Sequence, residues 1–248
     1  MTLEQFFAEN REVAVAFSGG VDSAYLLYAA TRYAARVKAY YVSTAFQPEF
    51  ELADARRLVD ELGADMQVLY VDVLMSGAAV ANPPDRCYHC KNTLFRQILR
   101  AAENDGFPVL LDGTNASDDA GDRPGMRALR ELSVRSPLRE CGLTKAEIRR
   151  LSKEAGLFTW DKPAYACLAT RIRTGEEITL QKLKQTEKAE GFLFGLGFRD
   201  FRVRMVGNTA KLELREADLP LLLENREKIV TELRKDYDSV LLNLEVRK

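Results

Sequence analysis

The stretch Ser18-Gly19-Gly20-Val21-Asp22-Ser23 decides the fold, because it lies between an apolar run and a helical pattern. Residues 13–17 before it predict a buried strand, and residues 22–35 predict the helix that follows. Glycines let the backbone approach an anion closely, while the serine hydroxyls and the first helical amides offer donors. The stretch therefore predicts a phosphate-binding loop. It is not a Walker A loop, since no Gly-Lys-Ser/Thr follows at that spacing.

Short apolar runs alternate with helical patterns through the first part of the chain. Further strands are predicted at residues 37–43, 66–73 and 109–111, and further helices at 49–62 and from 87 to about 103. This alternation predicts a mostly parallel sheet with helices on both faces, an α/β fold. The carboxyl ends of such strands form the ligand-binding edge. The polar residues at those ends are Ser18, Ser43, Asp72 and Asp112.

After Cys167 the pattern changes to that of a smaller α+β domain. We predict helices at residues 179–196 and 218–235, a hairpin of strands 201–206 and 210–214 through Gly207-Asn208, and a last strand at 240–246. The domain boundary is placed at Thr174-Gly175. Residues 1–174 then form a nucleotide-binding domain that carries the cysteines, and residues 175–248 a substrate and oligomerisation domain.

Composition limits the function classes. The 248 residues carry a formal net charge of -1, which argues against nucleic acid as the main partner. The N-terminus lacks a basic n-region, and no apolar run reaches membrane-spanning length, so a cytoplasmic protein is expected. In that compartment the four cysteines are expected to be thiols, metal ligands or catalysts rather than disulfides.

The segment Cys87-Tyr88-His89-Cys90 supports three interpretations, a redox pair, a metal site or coincidence. A zinc site would want a second ligand pair, which Cys141 and Cys167 do not form by their spacing. Three thiolates can instead hold three irons of a [4Fe–4S] cluster and leave the fourth iron open. Cys87, Cys90 and Cys167 are therefore a candidate metal site. Independent roles with Cys167 catalytic, and plain packing or zinc, remain alternatives, while Cys141 is interpreted as a small loop residue.

Two further groups of polar residues are candidates. Carboxylates and amides that follow a strand end suit magnesium or substrate, although the same residue types also serve as turn and N-cap residues. These are Asp112, Asn115, Asp118 and Asp119. Arg202 and Arg204 share one face of a predicted strand, an arrangement that suits a phosphate but is equally found on an exposed basic strand.

The hexapeptide is the SGGxDS signature of the PP-loop ATP pyrophosphatases, which this chain resembles. Three further segments, together with Arg123-Pro124-Gly125 and Arg202-Val203-Arg204, resemble the LarE family in particular. They are Pro83-Pro84-Asp85-Arg86-Cys87-Tyr88-His89-Cys90-Lys91, Asp112-Gly113-Thr114-Asn115-Ala116-Ser117-Asp118-Asp119 and Lys162-Pro163-Ala164-Tyr165-Ala166-Cys167-Leu168-Ala169-Thr170-Arg171. The resemblance implies that ATP is held by Ser18, Gly19, Gly20, Asp22, Ser23, Ser43, Gly113 and Thr114, with Asp22 also catalytic through Mg2+.

LarE proteins are ATP-dependent sulfur transferases that help make the nickel-pincer cofactor of lactate racemase. The resemblance implies adenylation of the carboxylates of a pyridinium dicarboxylate mononucleotide and their conversion to thiocarboxylates. One family strategy sacrifices the sulfur of a cysteine matching Cys167. The other uses a [4Fe–4S] cluster on residues matching Cys87, Cys90 and Cys167, and the presence of all three favours it here.

Position beside Cys167 assigns a role to Arg171 and Arg173, and the resemblance assigns roles in the small domain. Arg171, with Arg173 nearby, is expected to act in catalysis beside Cys167. Arg202 and Arg204 are expected to bind the mononucleotide phosphate, with Glu190 and Glu213 as metal or substrate contacts. The other expected partner is sulfide or a sulfur-donor protein. The chain is also expected to form a homo-oligomer.

Three other functions compete with this one. A tRNA thiolase of the same superfamily would need a basic face or an RNA-binding extension. An amide-forming ligase would have no use for the CxxC segment. A nucleotide-binding regulator with a redox-sensing cluster would not turn ATP over to AMP and pyrophosphate.

Overall fold

A computed structural model describes residues 1–118 and 124–247. The strands are β1 (Glu12–Ala16), β2 (Arg36–Ser43), β3 (Met66–Tyr70), β4 (Val109–Leu111), β5 (Arg202–Val206), β6 (Thr209–Glu213) and β7 (Ser239–Leu242). The helices are α1 (Leu3–Glu9), α2 (Val21–Tyr33), α3 (Glu49–Leu62), α4 (Gly77–Val80), α5 (Arg86–Asn104), α6 (Pro124–Glu131), α7 (Pro137–Glu140), α8 (Lys145–Glu154), α9 (Leu180–Gly195), α10 (Leu219–Glu224) and α11 (Arg226–Leu233).

The chain divides into two compact units. The first consists of residues 1–73 and 85–162, and the second of residues 74–84 and the chain from residue 163 onward. In the structure the later division falls between Lys162 and Pro163, so the segment that carries Cys167 belongs to the second unit, whereas the sequence predicts a boundary at Thr174-Gly175. Ile172 forms a bridge with Met205 of β5, and the Asn82 amide donates to the Arg173 carbonyl at 2.8 Å. The functional roles assigned to the two predicted domains stay predictions.

The first unit contains a parallel sheet of order β3-β2-β1-β4, which confirms the predicted α/β fold. Successive residues of β1 alternate between two apolar layers, because side chains of a strand point to opposite faces. Val13 and Val15 pack with Leu27 of α2 and Leu58 of α3, whereas Ala14 packs with the layer that α5 covers. Both faces of the sheet are thus buried under helices.

The second unit contains a smaller sheet of order β5-β6-β7. The predicted hairpin is confirmed: β5 and β6 are antiparallel, and Gly207 in their turn has a φ of 59°. A positive φ of this kind is tolerated by glycine without strain. β7 then runs parallel to β6.

Two predicted elements of the second unit were too long. The helix predicted at 218–235 is interrupted at Asn225, whose side-chain amide donates to the Leu221 carbonyl at 3.0 Å and ends α10 there. The strand predicted at 240–246 ends at Leu242, although the amides of Asn243 and Arg247 still donate to the carbonyls of Leu212 and Leu214. Within the described part of the chain, no helix is both long and apolar enough to span a bilayer.

Candidate active site

The phosphate loop follows β1 and is closed by its own serine hydroxyls. The hydroxyls of Ser18 and Ser23 lie 3.0 Å apart, and Ser23 also donates to the Gly20 carbonyl at 3.2 Å. Gly19 has a φ of 73°, and a Cβ there would lie 3.3 Å from the Glu51 carbonyl oxygen. Gly20 caps α2 without a side chain, which leaves the first amides of the helix available to an anion.

Two residues after β4 complete this loop. A Cβ on Gly113 would lie 2.9 Å from the backbone nitrogen of Ser23, so only glycine fits beside the start of α2. Thr114 is buried and donates to Asp112 Oδ2 at 2.5 Å. Ser43 ends β2, the strand that neighbours β1. The structure therefore brings the residues predicted to hold the nucleotide to one edge of the sheet.

Asp22 lies in the first turn of α2, beside this loop. Its Oδ2 accepts a hydrogen bond from Lys145 Nζ at 2.6 Å. Its Oδ1 is buried and has no hydrogen-bond partner. A buried carboxylate oxygen without a partner carries a desolvation cost that a bound cation or donor would relieve. The position thus fits the predicted magnesium ligand.

Two lysines of this site were not identified from the sequence as candidate site residues. Lys145 begins α8 and reaches Asp22, whereas Lys162 donates to Asp54 Oδ2 at 2.7 Å and to the Gly19 carbonyl at 3.4 Å. Both ammonium groups therefore lie beside the phosphate loop, where they can neutralise phosphate charge. The only sequence signals were the position of Lys145 after the Thr144 cap and of Lys162 at the head of the Cys167 segment.

The side chains of the acidic loop after β4 accept hydrogen bonds from within the protein. Asp112 also accepts from the Ser136 hydroxyl at 2.5 Å, which occupies its second oxygen. Asn115 Oδ1 accepts from the Ser117 amide, and Asp118 Oδ2 accepts from the Asn115 amide. These contacts favour the turn interpretation over the magnesium interpretation. The candidates Asp119 and Arg123 lie outside the described residues.

Cys87 and Cys90 lie in the first turns of α5, three residues apart and therefore on neighbouring positions of one helix face. Cys87 is exposed and Cys90 half-buried. The Arg86 guanidinium lies 4.0 Å from the Cys87 sulfur. Tyr88 anchors this turn through a 2.7 Å hydrogen bond to Glu131.

Cys167 caps a short 3-10 turn, Leu168–Arg171, in the second unit. Its carbonyl accepts from the Thr170 amide at 2.9 Å and from the Thr170 hydroxyl at 2.8 Å. Cys167 itself is half-buried. The hydrogen bonds to its carbonyl therefore hold the backbone on the C-terminal side of Cys167 in place.

Arg171 is only 1% exposed, and it binds the protein rather than an open pocket. Its Nε and Nη2 donate to the two oxygens of Glu190 at 2.8 and 3.0 Å, and its Nη1 donates to the Ala166 carbonyl at 2.9 Å. Burial works to lower the pKa of Arg171, but the Glu190 hydrogen bonds more than offset it, so the pKa is raised. The geometry makes Arg171 an anchor of the Cys167 loop, and its predicted catalytic contact stays a prediction.

Glu190 is saturated by donors. Besides Arg171, it accepts from the Val203 amide at 2.9 Å and from the Tyr165 hydroxyl. An ionised carboxylate has about four lone-pair sites, and four donors occupy them here. Its predicted contact with metal or substrate is therefore not what this geometry favours.

The strand arginines also hold the loop. Arg202 is buried and donates to the Ala164 carbonyl at 2.6 Å, and its pKa is lowered by burial and by the nearby charges of Arg171 and Arg247. Arg204 donates to the Thr170 carbonyl at 2.6 Å and to Glu213 at 2.8 Å.

The predicted cysteine site is divided between the units, with Cys87 and Cys90 in the first and Cys167 in the second. Among residues 1–118 and 124–247, no three His, Cys, Asp or Glu side chains form a group that could hold a metal ion. The donor chemistry nevertheless fits an iron–sulfur cluster, because three thiolates are what such a cluster with one open iron requires.

A family model described as asparagine synthase matches residues 4–117, which contain β1 to β4 and the phosphate loop. An uncharacterised protein of Synechocystis is 38% identical over 215 residues, 86% of this chain and 80% of that protein.

Other relatives have named activities, among them a mononucleotide synthase and tRNA thiouridylases. The pyridinium-3,5-bisthiocarboxylic acid mononucleotide synthase of Lactiplantibacillus plantarum is 32% identical over 235 residues, 94% of this chain and 85% of that protein. The tRNA-specific 2-thiouridylase of Thermotoga petrophila is 25% identical over 59% of this chain and 52% of that protein. The similarity to the synthase thus spans both units, while that to the thiouridylase covers little more than half of the chain.

Proposed function

The chain belongs to the LarE family, that of the pyridinium-3,5-bisthiocarboxylic acid mononucleotide synthase, and we propose that it is an ATP-dependent sulfur transferase of nickel-pincer cofactor biosynthesis. It adenylates the carboxylates of a pyridinium dicarboxylate mononucleotide and converts them to thiocarboxylates, for the cofactor of lactate racemase. AMP and pyrophosphate are the other products.

The observation that carries this proposal is the unsatisfied Asp22 Oδ1 beside the phosphate loop. Mg2+ prefers carboxylate oxygens and is often held by one carboxylate together with substrate phosphates. Asp22 would hold the ion, and the α2 amides, Lys145 and Lys162 would bind the pyrophosphate portion of ATP.

Adenylation makes the carboxylate reactive. A carboxylate oxygen attacks the α-phosphorus, the bond from that phosphorus to the β-phosphate oxygen breaks, and pyrophosphate leaves. Lys145 and Lys162 would stabilise the charge that develops on the leaving group. The product is an acyl adenylate, whose carbonyl carbon a sulfur nucleophile can attack with loss of AMP.

The sulfur source is the second part of the proposal. Cys87, Cys90 and Cys167 would hold a [4Fe–4S] cluster, which supplies an open iron that carries an extra sulfide. In the alternative, the Cys167 thiolate attacks the acyl adenylate, and breaking its Cβ–S bond with loss of the α-proton leaves dehydroalanine. The three cysteines favour the first route.

Substrate binding is assigned to the arginines of β5. Arg204 is the more accessible of the two, with 37% of its side chain exposed, and it would contact the mononucleotide phosphate. Arg202 would support it from within the core. A homo-oligomeric state, a cytoplasmic location and a separate sulfur donor also remain parts of the proposal.

The test measures AMP and pyrophosphate when the full chain is given ATP, Mg2+ and the pyridinium dicarboxylate mononucleotide, with unmodified tRNA as the competing substrate. AMP formation that requires the mononucleotide, with a thiocarboxylate product by mass spectrometry, is expected. Thiolation of tRNA instead would transfer the assignment to the thiouridylase activity.

The cluster is tested separately. Protein purified without oxygen and reconstituted with iron and sulfide is analysed for bound iron beside a Cys87→Ala control. We expect near four irons per chain, lost in the control. Protein that retains no iron would leave Cys167 as a sacrificial donor.

A further inference from the structure

We propose that Glu190 is a positioning residue for sulfur transfer, which fixes the backbone on both sides of Cys167. This inference rests on the proposed function, because the step it serves is transfer of sulfur at Cys167. Glu190 lies in α9 and is 1% exposed, so it acts through the protein rather than on the substrate.

Glu190 first fixes the orientation of the Arg171 guanidinium. The carboxylate accepts two hydrogen bonds from one edge of the guanidinium, from Nε at 2.8 Å and from Nη2 at 3.0 Å. Such bidentate contacts fix orientation as well as distance. The remaining nitrogen, Nη1, is thereby directed to the Ala166 carbonyl at 2.9 Å and the Thr170 hydroxyl at 2.8 Å.

Glu190 also holds the chain on the N-terminal side of Cys167. The Tyr165 hydroxyl donates to the same carboxylate, and the Tyr165 ring lies under the Arg171 guanidinium, 4.7 Å from its carbon. Residues two before and four after Cys167 therefore meet at one carboxylate. The Val203 amide, 2.9 Å from Glu190 Oε1, ties this junction to β5.

A positioning residue affects the rate of the reaction as well as the stability of the fold. A reacting group has to be placed accurately, because a misplacement of about 1 Å can cost about 100-fold in rate. Cys167 is half-buried, and the loop that carries it is held by the buried pair of Glu190 and Arg171. A nucleophile whose loop is held by a buried ion pair is the arrangement that a positioning role requires.

Two variants and a control test the inference. Glu190→Gln keeps the side-chain volume and removes the charge, whereas Glu190→Met with Arg171→Met removes both charges together. Paired replacement of a buried ion pair by apolar residues often preserves the fold. Glu224→Gln, at an exposed position of the same unit, is the matched control.

The readouts are hydrogen exchange of the amides in residues 164–171, the rate at which iodoacetamide alkylates Cys167, and the kinetic constants. In both test variants we expect exchange and alkylation to rise roughly tenfold, because the loop opens locally. Sulfur transfer should lose roughly tenfold in kcat while the KM for ATP changes by less than about twofold. The control should match the wild type in all three.

Unchanged exchange and alkylation in both folded variants would overturn the positioning role. A chain that makes no thiocarboxylate at all would instead overturn the proposed function. The exchange and alkylation results would still decide whether Glu190 holds the loop, so the two failures are distinguishable.

Discussion

Two carboxylates, the half-buried Asp22 in the first unit and the buried Glu190 in the second, differ in how many hydrogen-bond donors they meet. Asp22 receives one hydrogen bond, from Lys145, and its second oxygen is buried without a partner. Glu190 receives four, from Arg171 twice, Tyr165 and the Val203 amide.

The difference separates a carboxylate that can accept a ligand from one that holds structure. An unmatched buried oxygen costs free energy until a cation or donor arrives, so it is expected where a ligand binds. A saturated carboxylate has nothing left to offer a ligand and contributes by fixing its neighbours. The predictions below test this division.

Asp22→Asn should produce the largest effect. The amide keeps the shape but loses the charge that holds Mg2+, so we expect the rate of AMP formation to fall by about 100- to 1,000-fold. Stability should fall by at most about 1 kcal/mol, because the ion pair with Lys145 is partly exposed and the other Asp22 oxygen was unsatisfied. Steady-state kinetics and thermal melting measure the two quantities, and Asp60→Asn, an exposed carboxylate of α3, is the control. Equal rates in the two variants would place Asp22 outside the reaction.

Arg171→Ala should mainly destabilise the protein. It leaves the Glu190 charge buried without its partner, at a cost of about 3–5 kcal/mol in the free energy of unfolding. Arg150→Ala breaks an exposed pair with Glu154, of 2.7 Å, and should cost at most about 1 kcal/mol. Urea denaturation measures both. If both variants lost a similarly small free energy of unfolding, Glu190 would not be a carboxylate that holds the fold together.

Gly113→Ala should impair the nucleotide site more moderately. Its Cβ would lie 2.9 Å from the Ser23 nitrogen and push the loop away from α2, so we expect roughly a tenfold rise in the KM for ATP. Gly191→Ala, a helical position where a Cβ meets nothing, should leave the KM unchanged. ATP-dependent initial rates give the comparison, and an unaffected Gly113→Ala variant would disprove the close approach.

The smallest effect concerns a third carboxylate, at the surface. The hydrogen bond from Arg135 holds the pKa of Glu140 below its usual value. A lowered folded-state pKa contributes stability that is complete above the unfolded pKa, near 4.3, and is lost as pH falls through the folded pKa. Glu140→Gln should therefore flatten the acid limb of the stability curve below about pH 5. Urea melts at several pH values check this, and an unchanged slope would refute it.

Local sequence signals predicted most of the fold. The predicted bounds of α3 and β4 agree with the structure. These features depend on neighbours within four residues, which the sequence displays directly. The break at Asn225 was missed because a side-chain hydrogen bond ended a helix that apolar spacing alone would continue.

The candidate site was predicted less completely, since its partners are distant in the chain. Lys145 meets Asp22 across 123 positions, and Lys162 meets Gly19 across 143. The sequence predicted that Arg171 acts beside Cys167, but in the structure its guanidinium pairs with Glu190 of α9. Which charge a side chain pairs with is set by packing, and nothing local in the sequence encodes it.

The most direct test of the account follows isotope-labelled sulfide into product. The full chain, loaded with iron, is given ATP, Mg2+, the pyridinium dicarboxylate mononucleotide and heavy-isotope sulfide, and the product is examined by mass spectrometry. The account predicts AMP together with a thiocarboxylate that carries the heavy sulfur over several turnovers. ATP consumption without any thiocarboxylate would contradict it.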